Sequence, residues 1–193
     1  MLPTLIAFAY LIGSISAAIL VCKLLNLPDP RTQGSNNPGA TNVLRIGGKK
    51  AAAIVLLGDG LKGLIPVAIG QGLGLDVGDL VWVALAAFLG HVYPIFFGFK
   101  GGKGVATFIG TLLALHLYTG LAFVATWLFV AKVLKISSLS ALIATLLTPV
   151  YFYLLTEQAQ ASYVLALIGL WIFWTHRSNI KRLVSGEEDA IKS

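Results

Sequence analysis

Residues 105–134 read VATFIGTLLALHLYTGLAFVATWLFVAKVL, and how often this stretch crosses a membrane decides the fold. Thirty helical residues are about 45 Å long, too long for one comfortable crossing and short for two. Charge on either side settles the number. Lys100 and Lys103 precede the stretch and Lys132 and Lys135 close it, whereas the middle, His116 to Gly120, carries no Lys, Arg, Asp or Glu. Basic residues stay on the cytoplasmic side, so an even number of crossings must separate Lys103 from Lys132. The stretch therefore reads as two short helices folded back around His116 to Gly120.

The same argument extends outward. Further apolar segments run at 2–22, 51–71, 79–98, 138–155 and 160–175, and the central stretch divides into 105–117 and 120–134, which makes seven spans. Basic residues gather at 23–50 (Lys23, Arg31, Arg45, Lys49, Lys50), beside the central stretch, and after 176 (Arg177, Lys181, Arg182, Lys192). The connections near 72–79, 117–120 and 156–160 carry Asp76, Asp79 and Glu157 without Lys or Arg. That asymmetry puts the N-terminus outside and the C-terminus, with every basic segment, in the cytoplasm. The first run, Leu2 to Val21, lacks a basic flank and an evident cleavage site, and it reads as a retained span.

Composition agrees. The chain is 57% hydrophobic and 11% charged with a mean hydropathy of +0.86, and a soluble fold could not hide that much apolar surface. One all-α, membrane-embedded domain covering 1–193 is expected, with no room for a separate soluble one. Cys22 is the only cysteine, which excludes an intrachain disulfide and a multi-cysteine metal site. The pI of about 9.6 follows from the basic cytoplasmic loops, so no nucleic-acid partner is implied. Neither a metal nor an organic cofactor is expected, because no His, Cys and carboxylate set has ligand spacing.

One ion pair interrupts the second span, in Gly58-Asp59-Gly60-Leu61-Lys62-Gly63. Three residues apart, Asp59 and Lys62 share a helical face, and charges at that depth must be paired or solvated. Two readings stand side by side: a pair that locks helix packing through the small glycines, and a substrate or ion contact. An anion or lipid transporter is the alternative function, weakened by the lack of an internal repeat and of a second intramembrane charged cluster.

Three polar segments fall on the cytoplasmic side. The first, Asp29 to Arg45, is dense in hydroxyl, amide, Gly and Pro, suited to presenting small donors to an anion. Asn37 and Thr41 are among those donors, Thr41 or Asn42 is placed to open a short helix, and Arg45 to grip a phosphate with both arms of its guanidinium. The second, Gly101-Gly102-Lys103-Gly104, leads into a helix. Its glycines admit close approach, and Lys103 and the helix N-terminus supply positive charge, although the spacing is not that of a Walker A loop. The third is Thr175 to Leu183, where a continuing helix puts His176 and Asn179 on one face, and Arg177 and Lys181 on another. His91 reads as a buried hydrogen-bonding residue within the third span, and His116 as external and outside any such site.

These residues resemble the PlsY-type integral membrane glycerol-3-phosphate acyltransferases of bacteria, over nearly the whole chain. The resemblance rests on Gly13-Ser14; Gly34-Ser35-Asn36-Asn37-Pro38-Gly39-Ala40-Thr41-Asn42 with Arg45; Gly58-Asp59 with Lys62-Gly63; Gly90-His91 with Pro94; Gly101 to Gly104; and His176-Arg177 with Asn179-Ile180 and Arg182-Leu183. Ser16 stands where the family pattern has proline. The resemblance implies seven spans with the N-terminus outside and transfer of an acyl group from acyl phosphate to the 1-hydroxyl of sn-glycerol 3-phosphate. It implies a multi-pass protein of the inner membrane with a cytoplasmic active site, embedded in the bilayer and supplied by an acyl-phosphate-making enzyme. It places Ser35, Lys103 and His176 as catalytic residues, and Arg45, Asn37, Thr41, Gly101, Gly102, Gly104 and Asn179 in substrate binding. Within that frame Ser35, Lys103 and the amides near Gly101 and Gly102 are assigned to the leaving phosphate and the oxyanion, and Arg45, helped by His176 and Asn179, to the glycerol phosphate. No histidine has Asp four residues on, which leaves His176 or a substrate phosphate oxygen as the base.

Overall fold

The computed structural model describes residues 1–191, which form helices, turns and loops with no strand. Two compact units divide the chain, Met1–Leu115 and His116–Ser193.

The first unit contains α1 (Leu2–Gly13), α2 (Ala17–Leu24), α3 (Ala40–Gly72), α4 (Val77–Val92) and α5 (Val105–Leu115). The first apolar run is thus broken into two helices. Ser14 closes α1 by donating its N–H and its hydroxyl to Tyr10 O at 2.9 and 2.8 Å, and Ser16 caps α2, accepting from Ile19 N at 3.4 Å. A capping serine thereby makes the interruption that a proline would otherwise impose. The short helix expected to open at Thr41 or Asn42 opens just before them, at Ala40 behind the N-cap Gly39, so neither is the cap. Gly48, at φ 75° and ψ −176°, then interrupts α3, and the polar stretch 40–47 is a short helix of its own ahead of the spanning part.

Glycines set the closeness of this unit. A Cβ on Gly13 would strike Ala87 O and one on Gly90 would strike Tyr10 O, which brings α1 against α4 backbone to backbone. Likewise Gly63 lies on Thr107 O and Gly110 on Gly60 O where α3 meets α5. Between apolar helices in lipid, such approach is what packing energy depends on. Val55, Val67, Val81, Ala84, Ala87, Phe88, Phe108 and Leu112 fill the remaining space and are wholly buried.

The second unit contains α6 (Leu117–Leu134), α7 (Ser137–Thr156), α8 (Ala159–Thr175) and α9 (Arg177–Val184). Lys135, left-handed at φ 56°, ends α6, and α7 doubles back along it, with Thr126 Oγ1 3.0 Å from Tyr151 Oη. Phe123, Phe152, Leu165, Ile168 and Ile172 form its core.

The stretch 105–134 is two helices, and the break is at His116, which is extended (φ −158°, ψ 107°) and caps α6 through Nδ1, accepting from Thr119 N at 3.3 Å. Among the described residues, five helical stretches are long and apolar enough to cross a membrane: Leu2–Leu24, Ala40–Gly72, Val77–Phe97, Leu117–Leu134 and Ser137–Thr156. The other two expected spans, Val105–Leu115 and Ala159–Thr175, are apolar but shorter. With its 11 residues, α5 covers roughly half of a hydrocarbon core about 30 Å thick.

Candidate functional site

The first polar segment is ordered by Asn42, which its sequence neighbours mark only as a helix opener. Asn42 is 1% exposed, and its side chain ties three points of the loop together. Its Nδ2 donates to Pro30 O and Gln33 O, each at 2.9 Å, and its Oδ1 accepts from Ser35 N at 2.9 Å. Gly34, at φ 62°, passes so close to Asn42 Oδ1 that a Cβ there would collide with it. Ser35, Asn36, Thr41 and Arg45 are all exposed, and Asn37 is half-buried. The amide of Ser35 is thus committed to the loop itself. Arg31 is engaged as well: its Nη2 lies 2.7 Å from Asp29 Oδ2, and hydrogen bonding from that guanidinium holds the Asp29 carboxyl below the usual carboxylate range.

The second polar segment folds back on the end of α4. Gly101 N donates to Val92 O and Gly102 N to His91 O, both at 3.2 Å. These two amides were expected to face a phosphate or oxyanion, and in the structure they hold the loop to its scaffold. What the glycines contribute is room, since a Cβ on Gly101 would meet His91 O and one on Gly102 would meet His91 Nε2 and stand 2.9 Å from Pro38 O. The first and second polar segments therefore touch at Gly102 and Pro38. Gly104, at φ 92° against the Phe88 ring, turns the chain into α5, whose first N–H groups emerge beside the half-buried Lys103.

Beneath this loop lies a buried polar cluster. Lys62 Nζ is 2.8 Å from Asp59 Oδ1 and donates to Ile15 O, in the break between α1 and α2, at 2.8 Å. His91 Nδ1 stands 3.6 Å from the same carboxylate oxygen. The side chains of all three residues are 6% exposed or less. The Lys62 approach is an ion pair whose angles are poor for a hydrogen bond, and among the described residues Asp59 Oδ1 and His91 Nδ1 have no well-aligned partner. His91 is buried as expected, but its position under Gly102 follows from the fold, not from the local sequence.

In the second unit, α8 passes into α9 through His176 almost without a break, His176 N donating to Ile172 O and Ile180 N to His176 O at 3.0 and 2.9 Å. His176 and Asn179 are buried while Arg177 and Lys181 are exposed, the two faces that the spacing predicts. His176 Nδ1 lies 2.8 Å from Ile172 O. Because a carbonyl only accepts, Nδ1 carries the hydrogen and the neutral ring has its lone pair on Nε2. Glu188 is the residue that sequence reading missed. Its Oε1 accepts from Ser138 Oγ at 2.7 Å and from Asn179 Nδ2 at 2.5 Å, and its Oε2 from Arg182 Nε at 2.7 Å. Burial pushes the Glu188 carboxyl up, and the hydrogen bonds from Ser138, Asn179 and Arg182 outweigh it, leaving the group below its ordinary value. A Glu in a short polar tail carries no periodic signal that could have marked it.

In the first unit Arg45 and Lys103 bring cationic side chains, Ser35 an exposed hydroxyl and the start of α5 its N–H groups, a set that can bind phosphate. In the second unit His176 supplies an oriented imidazole that can accept a proton. Among the described residues, no three His, Cys, Asp or Glu side chains gather in a way that could hold a metal ion.

Known proteins match this chain closely. The family model described as glycerol-3-phosphate acyltransferase matches residues 3–186. A glycerol-3-phosphate acyltransferase of Ruthia magnifica subsp. Calyptogena magnifica is 70% identical over 187 residues, covering 97% of this chain and 95% of that protein. One from Hydrogenovibrio crunogenus is 59% identical, covering 97% and 90%. Among solved structures, PlsY (YgiH), an integral membrane glycerol 3-phosphate acyltransferase in its glycerol 3-phosphate form, superposes with a TM-score of 0.94 at 38% identity over 99% of this chain and 96% of that one. Its lysophosphatidic acid form gives 0.91 at the same identity, over 98% and 94%.

Proposed function

Since this chain belongs to the glycerol-3-phosphate acyltransferase family and is an integral membrane enzyme that forms lysophosphatidic acid from glycerol 3-phosphate, we propose that its acyl donor is an acyl phosphate. The products are then 1-acyl-sn-glycerol 3-phosphate and inorganic phosphate. The observation that carries this reading is the meeting of the two polar segments at Gly102 and Pro38, which sets a cationic, glycine-lined loop beside the Ser35 loop. Both substrates bear phosphate, and the donor bears a fatty chain suited to an apolar helical scaffold.

Phosphate is a good leaving group, so the protein's work is positioning and charge stabilisation. The 1-hydroxyl oxygen attacks the acyl carbonyl carbon, giving a tetrahedral oxyanion. The bond from that carbon to the bridging oxygen then breaks, and phosphate departs with the electron pair. Ser35, Lys103 and the α5 N-terminus stabilise the oxyanion and the departing phosphate. Gly101, Gly102 and Gly104 act through shape: without side chains they let the loop lie tight against α4 and the Ser35 loop, which places Lys103 and the α5 N-terminus for the phosphate. Arg45, with Asn37 and Thr41, and separately His176 and Asn179, serve the glycerol phosphate. The hydroxyl proton goes to His176 Nε2 or to a substrate phosphate oxygen. Activity and pH–rate profile both retained in His176→Ala would remove His176 as the base.

The charge pattern supports seven crossings with the N-terminus outside, and hence an active site on the cytoplasmic face of the inner membrane and one catalytic domain over the whole chain. A short-lived donor calls for an acyl-phosphate-making enzyme as supplier. Purified protein given palmitoyl phosphate and labelled glycerol 3-phosphate without CoA should release lysophosphatidic acid and phosphate in equal amounts. No product, from a folded preparation that still binds either substrate, would favour an anion or lipid transporter.

A further inference from the structure

The buried Asp59, Lys62 and His91 have no part in the chemistry above, yet they occupy the space directly under the loop that performs it. Four contacts define the arrangement. Lys62 Nζ bridges Asp59 Oδ1 and Ile15 O, each at 2.8 Å, so the carboxylate is anchored to α3 and to the break between α1 and α2. His91 Nδ1 faces that carboxylate at 3.6 Å. The opposite edge of the ring, Nε2 and Cε1, lies against the Cα of Gly102, where no side chain could be accommodated. The backbone O of the same histidine accepts from Gly102 N at 3.2 Å.

We propose that His91 is a positioning residue for the acyl transfer: its imidazole, backed by the Asp59–Lys62 pair, is the spacer that fixes Gly102 against Pro38 and so sets where Lys103 and the first amides of α5 stand. The assignment rests on the reading that residues 101–104 hold a phosphate-bearing substrate. A merely space-filling residue would be replaceable by any side chain of similar volume. The geometry here distinguishes the two edges of the ring, one turned to a carboxylate and the other to a glycine that has no freedom to retreat from Pro38. Displacement by a fraction of an ångström of groups that stabilise the oxyanion and the departing phosphate is felt in kcat/KM.

Amide side chains separate the two edges. Gln reaches about as far as Nε2 and keeps an atom under Gly102, whereas Asn ends about where Nδ1 does and leaves that space empty. Steady-state kinetics of the full chain in lipid bilayers, with palmitoyl phosphate and glycerol 3-phosphate each varied, should show H91N lowering kcat/KM for at least one substrate about tenfold or more at unchanged melting temperature, and H91Q within about threefold of wild type. G102A, whose methyl would meet His91 Nε2 and Pro38 O, should lower the same kcat/KM. The double variant H91N/G102A should be more active than the product of the two single effects, because the vacated space partly accepts the methyl. Independent, multiplying effects of H91N and G102A would overturn the proposal, as would a wild-type kcat/KM in an H91N of unchanged melting temperature. If G102A lowers kcat/KM and H91N does not, the loop serves the reaction but His91 does not set it. If neither G102A nor Lys103→Ala changes kcat or any KM, the phosphate reading of the loop fails and the proposal with it.

Discussion

Each unit of the molecule buries one carboxylate among several donors, and the two solutions differ. In the first, Asp59 and its main partner Lys62 sit one turn apart on a helix that glycines press into the backbones of its neighbours. In the second, Glu188 reaches from the tail to α7 and α9 to collect Ser138, Asn179 and Arg182. The first cluster lies inside an apolar span and stiffens a platform for the loops. The second ties down the end of the chain and orients Asn179, a residue proposed to meet substrate. A charge within a span must be matched where it stands, whereas a charge in a polar tail can be matched from a distance in sequence.

That contrast can be broken by experiment. Asp59→Ala leaves the Lys62 ammonium buried without its carboxylate and should cost about 3–5 kcal/mol of stability, read as a large fall in melting temperature in detergent. The double change Asp59→Leu with Lys62→Met should recover most of that loss. Next in size is the glycine packing. Gly110→Ala sets a methyl on Gly60 O and should cost about 1–3 kcal/mol, whereas Gly169→Ala in the second unit meets a Thr145 methyl at 3.3 Å that can yield, so its effect should stay under about 1 kcal/mol. Equal losses at the two sites would erase the distinction between the units.

Glu188→Gln keeps an acceptor but loses the charge, and should cost about 1 kcal/mol at pH 7. The sign of its pH dependence is fixed. A carboxyl held lower in the folded than in the unfolded chain, where it titrates at about 4.3, contributes stability that is complete above that pH and is lost as pH falls through the folded value. The wild type should therefore lose stability below about pH 4 more steeply than the Gln variant, by melting temperature across pH. The smallest effect is expected at the helix break, where Ser16→Ala removes the α2 cap for about 1 kcal/mol or less.

Much of this was legible in the sequence because hydropathy and charge act locally. The seven apolar segments reappear as helical stretches within a few residues; at 51–71 the spanning part of α3 follows the break at Gly48, behind the short helix 40–47. The break inside 105–134 followed from where lysines stand. The faces of His176 with Asn179 and of Arg177 with Lys181 followed from helical spacing. Illegible features were those in which a residue acts across the fold. Asn42 looks like any polar loop residue until Pro30, Gln33 and Ser35 curl around it. Glycines in a loop suggest amides offered to an anion, and only the carbonyls at the end of α4 reveal that the amides of Gly101 and Gly102 are already used. Nor does a helix count decide crossings where a segment is as short as α5.

The central claim is acyl transfer from an acyl phosphate, and the fate of the donor's bridging oxygen tests it most directly. Palmitoyl phosphate labelled with oxygen-18 at that position should, on reaction with glycerol 3-phosphate, place the label in inorganic phosphate and none in lysophosphatidic acid. Label left in free palmitate, or lysophosphatidic acid that forms from palmitoyl-CoA and never from palmitoyl phosphate, would contradict it.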